Sequence, residues 1–232
     1  MQRYKRMWSF FRDVAAICGA AIGVCALLSL SANPAQADDH LPQVKTIAIH
    51  SELGDNLLME QQGLFSNSVD SVSVGDWTLN AKAESAVSDS LSAGFHIVPA
   101  GDPNADAIVI ISPRVGPALG AGPMQVPMTA IGVLHVNSPF GRFKAVVHAM
   151  YTLSVVDAKT GAVLTSASGK LPNTDFFGEH ADPIEELPAS VWPDNPKMLA
   201  NGQRAAIKES VERLLAGSLR YTSQTLLLTT TN

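Results

Sequence analysis

Four side chains able to ligate a cation fall within eight residues, Asp175, Glu179, His180 and Asp182. Imidazole and carboxylate together suit zinc or a harder divalent ion, which makes His180, Asp175 and Asp182 the metal candidates. Their spacing matches no zinc motif, and the plainer reading is a solvated acidic loop bounded by prolines. The other histidines, His40, His50, His96, His135 and His148, are scattered. His50 and His96 stand at the ends of two expected strands and would form an acid–base or metal pair if those strands were neighbours. A histidine alone carries no mechanism. Gly-x-Ser-x-Gly and His-Glu-x-x-His are absent, and no Ser-x-x-Lys occurs in a fitting setting, so no catalytic residue is assigned. Gly116–Gly122 has the glycine density of a phosphate loop but lacks the Lys-Ser or Lys-Thr that neutralises phosphate and holds magnesium. No cofactor is assigned.

From Pro113 to Gly141 the chain carries five prolines, five glycines and one charge, Arg114. This density of breakers predicts an insertion without regular elements of ordinary length. Its apolar side chains Leu119, Met124, Val126, Met128, Ile131 and Leu134 are candidates for contact with an envelope partner, a second copy or a membrane, because exposed apolar surface is costly in solubility. The competing reading is that the segment folds over the domain's own core.

Around this insertion the pattern gives recognisable elements. Val44–Ile49 is β-branched and short, a first strand. The mixed polar stretch Ser51–Gly75 predicts a loop and then one short strand. Leu79, Ala83, Ala86, Val87 and Leu91 recur at helical spacing, with Asp76 or Thr78 to cap the start and Gly94 to end the helix in the left-handed conformation. Phe95–Val98 and Ala107–Ile111 read as strands, the second apolar on both faces and so central. Val147, Ala149, Tyr151, Leu153 and Val155 alternate with His148, Met150, Thr152 and Ser154, the period of a strand with one apolar and one mixed face. Asp157–Gly161 is hairpin-turn chemistry, and a strand returns from Ala162 to about Lys170. Residues 172–200 read as a surface connection holding Phe176, Phe177 and Trp192. A last helix carries the stripe Ile207, Val211, Leu214, Leu215 and Leu219, with Glu209 placed four residues before Arg213. Leu226–Leu228 read as a tail.

The fold expected is α/β (α+β): a single domain with a mixed sheet of about five strands, two main helices on one face and a long Pro/Gly-rich insertion.

Residues 1–37 read as a secretory leader. Arg3, Lys5, Arg6 and Arg12 precede an uncharged run of seventeen residues, Val14–Leu30, and the small-x-small triplet Ala35-Gln36-Ala37 follows. Cleavage after Ala37 would leave 38–232 as one periplasmic or secreted domain. The length of the run leaves open an inner-membrane anchor with the domain facing the periplasm, since about 17–25 residues cross a bilayer as a helix. The two cysteines, Cys18 and Cys25, both lie in this run, so the mature chain would hold neither disulfide nor thiolate site. It would also keep 12 basic and 20 acidic residues, a net charge of −8, which repels nucleic acid.

The element order, together with Tyr151–Leu164 (YTLSVVDAKTGAVL), resembles uncharacterised exported α/β envelope proteins of Gram-negative bacteria. It is more distantly similar to the N-terminal domain of the Tol-system propeller protein and to the curli-secretion lipoprotein. Val24 precedes Cys25 where a lipoprotein needs a small residue, a departure from the curli class. The resemblance implies an assembly or interaction module and carries over no catalytic residue. The function expected is that of a non-enzymatic periplasmic accessory protein using the insertion as its contact surface, with a periplasmic hydrolase or metal-dependent enzyme as the alternative.

Overall fold

The first strand, β1 (Thr46–Ser51), lies between two parallel neighbours, β4 (His96–Val98) and β5 (Ala107–Pro113). In this computed structural model the described residues are 43–62, 67–119, 126–137, 143–173, 179–188, 191 and 200–230, all within the unit Asp38–Asn232. Antiparallel β10 (Tyr151–Asp157) and β11 (Val163–Ser168) complete a five-stranded mixed sheet of order β11-β10-β5-β1-β4. Strand β5 is therefore central, as its two apolar faces demand. The β10–β11 turn uses Asp157, whose carboxylate accepts from the Lys159 and Thr160 amides, and Gly161 at φ 71°.

A second mixed sheet of five strands has the order β12-β9-β8-β2-β3. Its members are β2 (Asn56–Gln62), β3 (Asn67–Ser73), β8 (Ile131–Asn137), β9 (Phe143–Ala149) and β12 (Ile184–Leu187). Strands β2 and β3 correct the expected loop and single strand over 51–75. They form an antiparallel pair, Asn56 opposite Ser73 and Gln62 opposite Asn67. Leu57 and Met59 point inward, and the apolar Leu58 between them breaks the alternation that would have marked the strand. Strand β12 is likewise an element inside the expected connection 172–200, whose Phe176, Phe177 and Trp192 lie outside the described residues.

The insertion 113–141 is also more regular than its prolines suggest. It contains β6 (Val115–Leu119), β7 (Val126–Thr129) and β8. Proline is tolerated at edges and irregular registers, and the β6–β7 pairing shifts register between Val115 and Ala118. The strand expected across 147–155 is divided at Met150: β9 belongs to the second sheet and β10 to the first.

Both helices pack into one continuous core. Helix α1 (Leu79–Leu91) buries Leu79, Ala83, Ala86, Val87 and Leu91, the five residues its periodicity picks out. Its ends differ from expectation. Thr78 has φ 52° and makes no side-chain cap, and Gly94 returns its amide to the Leu91 carbonyl (3.0 Å) without positive φ. Helix α2 (Asn201–Thr230) buries Ile207, Val211, Leu214, Leu215 and Leu219 and continues through Leu226, so the expected tail is helical. Burial of each such side chain contributes about 1.5–3 kcal/mol. Arg213 pairs with Glu209 one turn away (3.5 Å) and also reaches Glu185 on β12. The core formed with these helices takes Ile47, Ile49, Val109 and Ile111 from the first sheet and Leu57, Met59, Ile131, Val133 and Val147 from the second.

Candidate functional site

Side chains on a strand alternate in direction, so the residues between these core positions fall on the other face of the second sheet. Leu58, Glu60 and Gln62 of β2, Gly132 and Leu134 of β8, and Val146 and His148 of β9 occupy it. The register sets Leu58 beside Gly132 and His148 beside both Gly132 and Ile184. The β6–β7 hairpin forms a two-stranded sheet of its own. Met128 from β7 and Met150 close, with Leu134 and Val146, a small second core against which Ile184 packs. The hairpin thus straps over a face that would otherwise meet solvent.

The strap is held at its base by backbone and charge. Arg114 donates its amide to the Met150 carbonyl (3.0 Å), and the Ala130 amide reaches the Arg114 carbonyl (3.0 Å). The Met150 amide reaches the Ala130 carbonyl (2.6 Å). The Arg114 guanidinium donates to Tyr151 O (3.2 Å) and to Asp182 (2.8 Å), and Lys170 approaches the same carboxylate at 3.3 Å. Ala130, at the β7–β8 junction, has φ 50°, a left-handed conformation that is unfavourable for a residue with a Cβ.

Two ionisable side chains lie beneath the strap. Glu60 is 2 % exposed and accepts from Thr129 Oγ1 (3.3 Å), while its Oε2 has no hydrogen-bond partner. Burial raises its pKa above the ordinary carboxylate value, opposed by the contacts with Thr129. His148 is fully buried and neither ring nitrogen is hydrogen-bonded. Desolvation lowers its pKa to about 4. The Ala130 carbonyl approaches the ring and opposes that shift, without reaching hydrogen-bond geometry. Adjacent residues of the strap, Thr129 and Ala130, thus contact Glu60 and His148 respectively. Sequence reasoning placed His148 on the mixed face of its strand but supplied no cover for that face, and it placed Glu60 in a loop. Their one signal is polar residues at strand positions flanked by apolar ones.

The described residues named as candidates from the sequence are engaged with other partners. His180 bonds Tyr221 Oη through Nε2 (2.6 Å), and Asp182 faces Arg114 and Lys170, two cations that compete with a metal for its carboxylate. Asp175 lies outside the described residues. Among the described residues no group of three His, Cys, Asp or Glu side chains is arranged to hold a metal ion. Strands β1 and β4 are neighbours, but His96 pairs with Thr46, four positions before His50, a separation of about 13 Å along the strand. His50 instead approaches Glu84 at 4.0 Å. Met128, Ile131 and Leu134, named as contact candidates, are buried within the chain's own cores. The side chains of Leu119, Met124 and Val126 lie outside the described residues. No helix among the described residues is long and apolar enough to cross a membrane.

The chain matches no family model, and no curated protein matches it. It is similar to solved structures at low identity. Protein XCC0632 from Xanthomonas campestris, described by the family model DUF330, aligns at 10% identity over 80% of this chain and 85% of that one, with a TM-score of 0.39. The PelC dodecamer from Paraburkholderia phytofirmans aligns at 15% identity over 78% of this chain and 94% of that one, with a TM-score of 0.27. A point variant of PelC gives 14%, 78%, 95% and 0.29. These are proteins other than the Tol and curli ones named above, and that resemblance stays an expectation from sequence.

Proposed function

We propose that the chain is exported and works in the cell envelope as a non-enzymatic accessory or interaction protein whose contact element is the β6–β7 strap. The observation that carries this reading is the strap's own construction. Among the described residues its strands pair with no other strand, and it docks Met128 on the second sheet while presenting Val115, 63 % exposed, outward. The outer edges of such a two-stranded ribbon are open to pairing with a further strand, the pattern of a surface available for contact. The contact surface thus differs from the expected one, since Met128, Ile131 and Leu134 serve the protein's own packing. Export rests on the order of basic, apolar and small residues in 1–37.

Two measurements test the proposal. Mass spectrometry of the chain recovered from the envelope should find Asp38 as its first residue; an intact leader would replace release by an inner-membrane tether. A photo-crosslinking side chain at position 115 should give one defined adduct in cells, with an envelope partner or a second copy. An adduct formed equally from position 163, where Val163 is 61 % exposed on β11, would deny the strap any special role.

A further inference from the structure

We propose that the β6–β7 strap is an acid-released clasp: protonation of His148, which it covers, frees the strap from the second sheet. The proposal concerns regulation of the contact element just described and rests on that reading for its use, whereas the release itself is measured on the chain alone.

The geometry makes His148 the trigger. Its imidazole presents Cε1 and Nε2 to Gly132, and a Cβ built on Gly132 would come 2.8 Å from both. Met128, Leu134, Val146 and Met150 form the apolar group on its face, and Ile184 pairs with it from β12. A neutral ring is tolerated there. A charged one needs water or a counter-ion, because a buried unpaired charge is expensive.

The groups facing it do not supply that counter-ion in the closed state. Strands β6, β7 and β8 bring Gly116, Met128 and Leu134, none of them ionisable. From β2 comes Glu60, engaged with Thr129 and set by register opposite Leu134 rather than Gly132, with β8 between it and His148. From β12 comes Glu186, exposed and opposite Val146 rather than His148. Arg114 and Asp182 at the strap's base are engaged with each other, and Lys144 lies four residues away along β9. The cheapest way to hydrate the imidazolium is to lift the strap, whose described strands pair with no other strand, whose side-chain tie to the second sheet is Thr129–Glu60, and whose junction residue Ala130 already sits in a strained conformation.

The direction of the pH effect follows by linkage. A histidine whose closed-state pKa is lowered from 6.5 to about 4 favours closure fully above pH 6.5 and loses that preference as the pH falls toward 4. Glu60 acts oppositely, since a raised carboxyl pKa weakens closure as pH rises through it. His135 on β8 is also lowered by burial, but it pairs with Ala145 on the face of the main core, away from the strap, so acid release of the strap is assigned to His148.

Hydrogen–deuterium exchange on the full chain, corrected for intrinsic rates, tests this. Between pH 7.5 and 5.0 the peptides covering 126–132 should lose about 30-fold in protection, while those covering 211–219 of α2 hold theirs. His148→Phe keeps a flat ring against Gly132 and should abolish the loss, and Glu60→Gln should retain it. Unchanged protection in the wild type, or an equal loss in His148→Phe, overturns the clasp while leaving the crosslinking test of the strap unaffected. Should His148→Phe fail to fold, NMR titration of the His148 ring in the wild type decides. A ring that protonates near pH 6.5 beneath a strap still protected from exchange overturns the proposal, and one that protonates together with strap opening supports it.

Discussion

Gly132 and His148 face each other across β8 and β9, and the ring takes the space that a side chain on Gly132 would need. A Cβ there would also meet the Leu58 carbonyl at 2.8 Å, so neither neighbour can yield cheaply. Gly132→Ala should therefore destabilise the fold by about 1–3 kcal/mol, the usual range for overpacking, measured by urea unfolding. Gly217, within α2, has nothing within 4 Å of a built Cβ, and Gly217→Ala should stabilise by about 0.5–1 kcal/mol.

Tyr151 Oη bonds Ser218 (2.8 Å) and Thr222 (3.2 Å), joining β10 to α2 in the interior. Tyr151→Phe should lower stability by about 1–2 kcal/mol, because two buried hydroxyls lose a partner. Burial also pushes the Tyr151 pKa up to about 12. The folded state then holds its proton between pH 10 and 12 where the unfolded state does not, so stability should fall as pH rises through that window. Equilibrium unfolding at pH 9, 10.5 and 11.5 should show this slope in the wild type and a flatter one in Tyr151→Phe.

Asp106 accepts the Lys45 and Thr46 amides at 3.0 and 2.9 Å, fastening the start of β1 to the loop before β5. These bonds hold its pKa below the ordinary 3.8. The stabilisation is present above pH 3.8 and is lost as pH falls through the lowered value. Asp106→Asn should remove this acid-sensitive stabilisation while leaving the His148-dependent change between pH 6.5 and 4 intact. Circular dichroism across an acid titration separates the two windows.

Arg114 joins the strap's base to Asp182 and to the Tyr151 carbonyl. Arg114→Met keeps much of the apolar stem and removes those bonds. Exchange in 126–132 should quicken at pH 7.5 more than tenfold, while the α2 core keeps its protection. Equal acceleration in both regions would show that Arg114 supports the whole fold rather than the strap.

Much of the architecture was legible in local pattern. The helix over 79–91, the central strand at 107–111, the turn at Asp157–Gly161 and the stripe of α2 each follow from side-chain period and turn chemistry, which act over a few residues. Strands β2 and β3 were hidden because their alternation is carried partly by Ser and Asn, whose types suit turns as readily as a solvent-facing strand. Strand β8 was hidden in the insertion because both its faces are buried, which erases a two-residue period.

The sequence by itself determined the classes of residue and their phase along each element: which positions of β9 and β10 point together, where α1 and α2 must bury a face, and that residues 1–37 set four basic residues ahead of or beside an uncharged apolar run. Only the tertiary structure decided what covers the second face of the second sheet. His148 and Glu60 become buried because a ribbon distant in sequence folds back over them, and His50 and His96 stay apart because register sets their strands four residues out of step. Period is a local property of the chain, whereas burial and register depend on which distant segments meet. The histidine pair stayed apart and the covered histidine emerged for that one reason.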